Sequence, residues 1–335
     1  MFKQKTLFIV GAGASFEVGI PVGVQLARNI AGLLNIELAT QATSDFFRSL
    51  YNRYPQESNT FNRAAAAVRN GVQLTNSIDD FLDRHSGEEA IERLGKAAIV
   101  KTILFAEREC KFLQGERRGG FALDSVENTW FVKFFRMLGA EVHVSKVAQI
   151  FGNVAFVVFN YDRCLEFFLT DALQLVYGLS PNEARGLVAE CKIIHPYGVI
   201  APLDVGSSGV PFGGVSNFAL DYAALSEGLR LYTEEMTHKE TLTQIHDEIA
   251  SAEQIIFLGF GYNTPNMDLL KPPKKVNLKP VFGTALGMSS NSIEVVQHQL
   301  ARMFNGGLSG IIPAMQLSDM KCNQLFDFHA RRLAN

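Results

Sequence analysis

The sequence predicts an α/β chain, a Rossmann-like parallel sheet carrying a large inserted helical module. Three observations carry this. Apolar runs short enough to be fully buried parallel strands recur at 6–10, 154–159 and 254–258. Several predicted strands empty into a small polar or glycine cluster: Gly11–Ser15, Asn160–Asp162, His195, Gly259–Asn263 and Gly283–Gly287. In an open parallel sheet the strand C-termini share one edge, where ligands bind, so these distant segments are expected to converge on one cleft. Finally, residues 36 to 150 show helical patterns and no convincing strand, which is long for a single βα crossover. The expected division is therefore a Rossmann-like domain from 1–35 and 151–335, with a helical module at 36–150.

Taken in order, Thr6 to Val10 is the first strand and Gly11-Ala12-Gly13-Ala14-Ser15 the turn that follows it. Ile20-Pro21 interrupts any helix, and Val22 to Leu34 resumes one, with Leu26, Ile30, Leu33 and Leu34 on a single face. Short helical patterns follow at 46–54 and 64–68. Ser77 with Asp80 three residues on approximates a capping box, so Asp79 and Asp80 are expected to start a helix rather than act as catalytic acids. A long helix is expected from Glu88 to about Phe112, an exposed loop at 115–120, and a further helix from Trp130 to Ile150. The aromatic stripe from Trp130 to Phe135 is expected to pack in the core or an interface. After the strand at 154–159, a helix from about Cys164 to Tyr177 and a short strand at 191–194 lead to His195. Residues 196–217 are dense in Gly, Pro and Ser and are expected to be loop. Tyr222 to Ala252 reads as mostly helical, Gln254 to Leu258 as strand, Pro280 to Phe282 as the last strand, and Ile293 to Met303 as the closing helix.

Bulk properties narrow the function classes. With 335 residues, 47% hydrophobic and 19% charged, the chain can bury a sizeable core. A net charge of -3 argues against direct nucleic-acid binding. No stretch approaches the roughly 20 uncharged apolar residues of a membrane helix. The start of the chain does not read as a signal peptide, and a cytoplasmic location is expected. The four cysteines, Cys110, Cys164, Cys191 and Cys322, form no C-x-x-C pair, so neither a zinc site nor any other metal is expected.

A buried strand that ends in a glycine turn and then a helix is a usual opening for a nucleotide site. Backbone amides there can approach a pyrophosphate, and the helix N-terminus favours negative charge. Position 16 is Phe, so the dehydrogenase fingerprint G-x-G-x-x-G is not met. Asn160 and His195 each follow a predicted buried strand at the same edge, and no G-x-S-x-G nucleophile elbow is present. An Asn and a neutral His beside a ribose suit chemistry at the glycosidic carbon. The His accepts a hydroxyl proton while the Asn orients that hydroxyl or a water. Asn263 either hydrogen-bonds the ribose or shapes its own loop.

At these residues the chain resembles the sirtuin superfamily. Gly11-Ala12-Gly13-Ala14-Ser15 with Gly19-Ile20-Pro21 is similar to the Gly-Ala-Gly-x-Ser…Gly-Ile-Pro signature. Asn160-Tyr161-Asp162 is similar to Asn-x-Asp, His195 to the catalytic His, and Gly259-Phe260-Gly261 to a later ribose-binding turn. The chain departs from sirtuin deacylases in Pro21-Val22-Gly23-Val24, in lacking a four-cysteine module, and in Pro196-Tyr197 before Gly198. With Ser77-Ile78-Asp79-Asp80-Phe81-Leu82, those departures resemble the sirtuin-like NAD-hydrolysing proteins of bacterial antiphage defence. The resemblance implies an NAD+ glycohydrolase that releases nicotinamide and ADP-ribose, with NAD as substrate and Asn160 and His195 catalytic. It implies NAD contacts from Gly11, Ala12, Gly13, Ala14, Ser15, Pro21, Asp162, Gly259, Gly261 and Asn263. It also implies activity held off until a sensor engages, supplied by a separate activator protein or a homo-oligomer. Two alternatives stay open: an NAD-dependent deacylase or ADP-ribosyltransferase, and a non-catalytic module that binds NAD or an ADP-ribose signal.

Overall fold

Apolar five-residue runs with no polar face can be satisfied only when both sides of the sheet are covered, and this is how they are used. The computed structural model describes residues 2–38, 40–114, 121–203, 209–214, 220–236, 238–277, 279–305 and 315–333. Its sheet has six parallel strands in the order β3-β2-β1-β4-β5-β6. These are β1 (Thr6–Val10), β2 (Val154–Val158), β3 (Lys192–Ile194), β4 (Gln254–Leu258), β5 (Val281–Thr284) and β6 (Met315–Ser318). Every residue of β1, β2 and β4 is buried. The chain runs outward from β1 through β2 to β3, then crosses back to lay β4 on the other side of β1. The strand order therefore reverses beside β1, where an open α/β sheet forms its ligand crevice. Register aligns the ends: Val10 pairs with Val158 on one side and Leu258 on the other. The residues that follow these three strands consequently start at one level.

One sheet face is covered by an aromatic layer. Phe134, on the helix Trp130–Gly139, packs on Phe8 of β1 at 5.2 Å and on Phe156 of β2 at 5.5 Å between ring centroids. Phe326, on the helix Cys322–Leu333, lies 6.2 Å from Trp130, whose indole Nε1 donates to the Ala14 carbonyl at 3.0 Å. The Trp130–Phe135 stripe is thus core. Glu17 ties the same face to the glycine turn, its two oxygens accepting from the backbone N–H of Trp130 and of Asn323, both at 2.8 Å, near the starts of both helices. A carboxylate there satisfies otherwise orphaned amides and complements the helix dipoles.

Between β1 and β2 the described residues form helices only, the longest being Glu89–Glu109. That helix is tied to the sheet side by a fully buried ion pair. Glu107 accepts from Arg163 Nε at 3.1 Å and Nη2 at 2.6 Å. Arg163 Nη1 also donates to the carbonyls of Ala201 and Val210, and Nη2 to that of Pro211, while the Gly213 N–H donates to Glu107 at 3.0 Å. One guanidinium thus binds the helical stretch, the chain after β2 and the segment after β3.

The structure departs from the expected elements in several places. The helix expected over 130–150 stops at Gly139, and a 3-10 turn covers Val144–Gln149; Glu141 between them has φ +65°, which no helix accommodates. The stretch 222–252 is broken into Tyr222–Ser226, Tyr232–Glu235 and Lys239–Ser251. An unexpected helix, Pro181–Glu190, starts with a complete capping box between Ser180 and Glu183 and Pro at its first position. β5 is not the last strand: β6 and the helix Cys322–Leu333 follow. β6 is a four-residue edge strand, mostly half-buried, so it carries no continuous apolar run. The loop expected at 115–120, and residues 204–208 and 215–217 of the loop expected at 196–217, lie outside the described residues. Among the described residues no helix is long and apolar enough to cross a membrane.

Removing one partner of the Glu107–Arg163 pair leaves a buried charge uncompensated. Glu107→Ala is expected to cost about 3–5 kcal/mol in urea unfolding, and pairing Glu107→Leu with Arg163→Met to recover part of that loss.

Candidate active site

The site begins where the turns after β1 and β4 touch. Gly11 N–H donates to the Leu258 carbonyl and Gly13 N–H to the Gly259 carbonyl, both at 2.9 Å. A Cβ on Gly11 would lie 2.6 Å from the Gly259 oxygen, and one on Gly13 2.9 Å from it. A Cβ on Gly259 would lie 2.0 Å from the Ala14 nitrogen, and Gly259 has φ +57°. The three glycines therefore let two backbones meet. The amides of Gly11, Gly13 and Ala14 are taken up by protein carbonyls. The helix after the turn, Ala12–Phe16, has five residues, so its dipole is small. Gly259 is held further by its N–H donating to Thr284 Oγ1 at 2.8 Å.

Ser15 and the Asn160-Tyr161-Asp162 segment come together behind this contact. Ser15 Oγ donates to Asp162 Oδ1 at 3.0 Å and accepts from Asn160 Nδ2 at 2.9 Å. Asp162 Oδ1 also accepts the N–H of Cys164, the first residue of the helix Cys164–Tyr177, at 3.1 Å. Burial pushes the Asp162 carboxyl above its usual range, against the hydrogen bonds from Cys164 and Ser15. Asn160 Oδ1 is buried and has no hydrogen-bond partner among the described residues.

His195, directly after β3, closes the group. Its Nδ1 lies 3.3 Å from the Asn160 carbonyl oxygen and its Nε2 2.7 Å from Glu166 Oε1. Burial works against a charged ring, but the Glu166 carboxylate and its hydrogen bond outweigh it, and the His195 pKa is raised. Burial alone would raise Glu166, yet the His195 charge holds it below its usual range. In place of the neutral histidine the sequence suggested, the structure sets the ring against a carboxylate that favours its charged form. Glu166 is the site residue that sequence reasoning misses; its only signal is its place on the first turn of the helix after Asn160-Tyr161-Asp162.

The Ser77–Leu82 stretch meets this group through one contact. Ser77 Oγ caps the helix Ile78–Arg84 by accepting from Asp80 N–H, and Asp80 pairs with Arg84. Asp79 instead accepts the Tyr161 hydroxyl, and burial raises its pKa. The two acids expected to share one role have different ones. Phe159, Tyr197 and Phe260, each within three residues of a strand end, pack together with Phe159 5.8 Å from Tyr197 and 5.1 Å from Phe260, and all are buried.

Other expected residues are not joined to this network. Pro21 lies half-buried between the helices Ala12–Phe16 and Gly23–Leu33. Gly261 is exposed, and a Cβ there would meet nothing within 4 Å. Asn263 is exposed and caps the helix Thr264–Leu269, its Oδ1 accepting from Asn266 N–H at 3.1 Å. Cavities of about 480 and 430 Å³ lie elsewhere, one lined mainly by residues 327–332 and one at the strand N-termini around Lys5, Asn153 and Lys192. Neither sits at the strand C-termini, where parallel sheets bind ligands, and neither collects the polar groups described above. Among the described residues no cluster of three or more His, Cys, Asp or Glu is arranged to hold a metal. No family model and no curated protein matches this chain.

The contact between the turns is testable by stability alone. Gly259→Ala is expected to cost at least about 2 kcal/mol, from left-handed strain and the clash with Ala14, whereas Gly261→Ala is expected to change stability by about 0.5 kcal/mol or less. Chemical denaturation of both variants decides it.

Proposed function

We propose that the chain is an NAD+ glycohydrolase, with Asn160 and His195 as its catalytic pair. The observation that carries this reading is the double use of Asn160. Its side-chain amide is held by Ser15 of the glycine turn, and its main-chain carbonyl holds the His195 ring. Three strand ends thus bring a glycine turn, an amide and an imidazole together at the switch point of a Rossmann-like sheet. With Nδ2 donating to Ser15, the Asn160 Oδ1 acceptor has no partner among the described residues. A buried acceptor without a donor costs about 1–3 kcal/mol, which a ribose hydroxyl or an attacking water would offset.

In the proposed reaction the C1′–N1 bond breaks and its electron pair returns to the ring nitrogen, releasing neutral nicotinamide. Water forms the new C1′–O bond and loses a proton to His195 once that ring is neutral, leaving ADP-ribose. Asn160 Oδ1 orients the water or the ribose hydroxyl for attack at the oxocarbenium-like centre. The sirtuin-like resemblance of the Gly11–Pro21, Asn160–Asp162 and His195 segments supports the same reading, and with it a role in antiphage defence under a separate activator or a homo-oligomeric state. The absence of a sirtuin-type cysteine set from the sequence disfavours the deacylase alternative.

One observation favours a second reading, a module that binds NAD or an ADP-ribose signal without cleaving it: both ring nitrogens of His195 are engaged. Nicotinamide release separates the two. The full chain, assayed with NAD+ alone and with its activating conditions, is expected to release nicotinamide, and His195→Ala and Asn160→Ala to lower the rate at least about 100-fold each. Normal turnover by both variants would falsify the assignment. Thermal stabilisation by NAD+ with no nicotinamide released under any condition selects the binding module, and turnover of an acylated peptide selects the deacylase.

A further inference from the structure

Glu166 is a half-buried acid in direct contact with His195, and the proposed reaction gives it no part. It lies on the first turn of the helix Cys164–Tyr177, with its side chain 21% exposed and that of His195 11% exposed. Oε1 meets His195 Nε2 at 2.7 Å, while Oε2 is buried with no hydrogen-bond partner among the described residues. A carboxylate kept for packing or capping has both oxygens satisfied or wet, as Glu17 and Glu107 do here. Among the described residues, that of Glu166 makes one side-chain hydrogen bond, and it is to His195. A ring whose two nitrogens both face acceptors carries both protons.

We propose that Glu166 is the positioning residue of this site: it clamps His195 against the Asn160 carbonyl with both ring nitrogens occupied, so that the resting chain offers no free imidazole base. The proposal rests on the reading of His195 as the base for NAD+ cleavage. Turnover then requires the ring to lose a proton to solvent and Nε2 to leave Glu166, after which that nitrogen takes the proton of the attacking water. The groups facing His195 are Glu166, Asp162 and the Asn160 carbonyl, all from the chain after β2. Those facing Glu166 are His195, Arg163 and the Cys191 thiol, which burial pushes up to about 12 and so keeps neutral. Because the folded-state His195 pKa is raised, the ion pair is complete below the ordinary imidazole value and is lost as pH rises through the raised one. Base activity rises over that same interval. Removing the Glu166 charge leaves burial dominant, which moves the His195 titration down.

The test uses the full chain with ring-labelled histidine, the His195 signal being assigned by its loss in His195→Gln. His195 is titrated by NMR in the wild type, Glu166→Gln and Glu166→Asp, alongside nicotinamide release against pH. The His195 midpoint is expected to fall in Glu166→Gln and to lie between the two in Glu166→Asp, with the acidic limb of nicotinamide release moving the same way. An unchanged midpoint in Glu166→Gln overturns the proposal whatever the NAD assay shows. A wild-type midpoint at or below about 6.5, the ordinary imidazole value, overturns it without any variant. A shifted midpoint in a chain that releases no nicotinamide, either with NAD+ alone or under its activating conditions, supports the Glu166–His195 clamp and overturns the glycohydrolase reading, so the two failures are distinguishable.

Discussion

At the centre of the sheet two backbones meet more closely than any side chain permits. The turn after β1 hydrogen-bonds the turn after β4, with Gly11 and Gly13 against Gly259. The register of the three central strands brings these turns to one level, and the missing Cβ atoms let them touch. The position of Ser15 follows from that contact, and through Ser15 the positions of Asn160 and Asp162. A methyl group at Gly259 would displace the whole chain of contacts, because packed interiors do not absorb an extra atom against backbone.

The Glu107–Arg163 pair performs the complementary task at the rim. Charges this deep are tolerated only when fully hydrogen-bonded, and here the guanidinium and carboxylate also satisfy backbone groups of the 201–213 segment. Arg163 stands one residue after Asp162, so the helical stretch between β1 and β2 is anchored beside the candidate site. Tyr161 makes a second link to the same stretch, through Asp79. From Asn160 to Arg163 the side chains hold Ser15 (Asn160 and Asp162), Asp79 (Tyr161) and Glu107 (Arg163), which makes this short segment the junction between sheet, helical stretch and site.

The elements legible in the sequence are those whose signal is local. Residues 7–10, 154–158 and 255–258 are continuous apolar runs, as a strand buried on both faces requires. The helix Pro181–Glu190 carries a local signal too, since Ser180, Pro181 and Glu183 form a capping box. β6 was not readable: four half-buried residues at an edge have neither an apolar run nor strict alternation. The end of the Trp130–Gly139 helix depends on a positive φ at Glu141, a residue type that gives no warning of it. At the site, Gly11–Ser15, Asn160, Asp162 and His195 stand at strand ends and could be picked out individually. Glu166 could not, because a glutamate in the first turn of a helix is ordinarily a dipole partner.

The sequence by itself determined that this is an α/β chain, which residues end its buried strands, and that those ends share one edge, because hydrophobic patterning and turn chemistry act over a few neighbouring residues. Only the tertiary structure decided what each residue at that edge touches. It assigned Gly11, Gly13 and Gly259 to contact with one another, joined Asp162 to the Cys164 amide and Asn160 to Ser15, separated Asp79 from Asp80, and paired His195 with Glu166. Those outcomes turn on separations of a few ångströms between groups up to some 250 positions apart in the chain, and on the electrostatics of burial, neither of which a local pattern encodes.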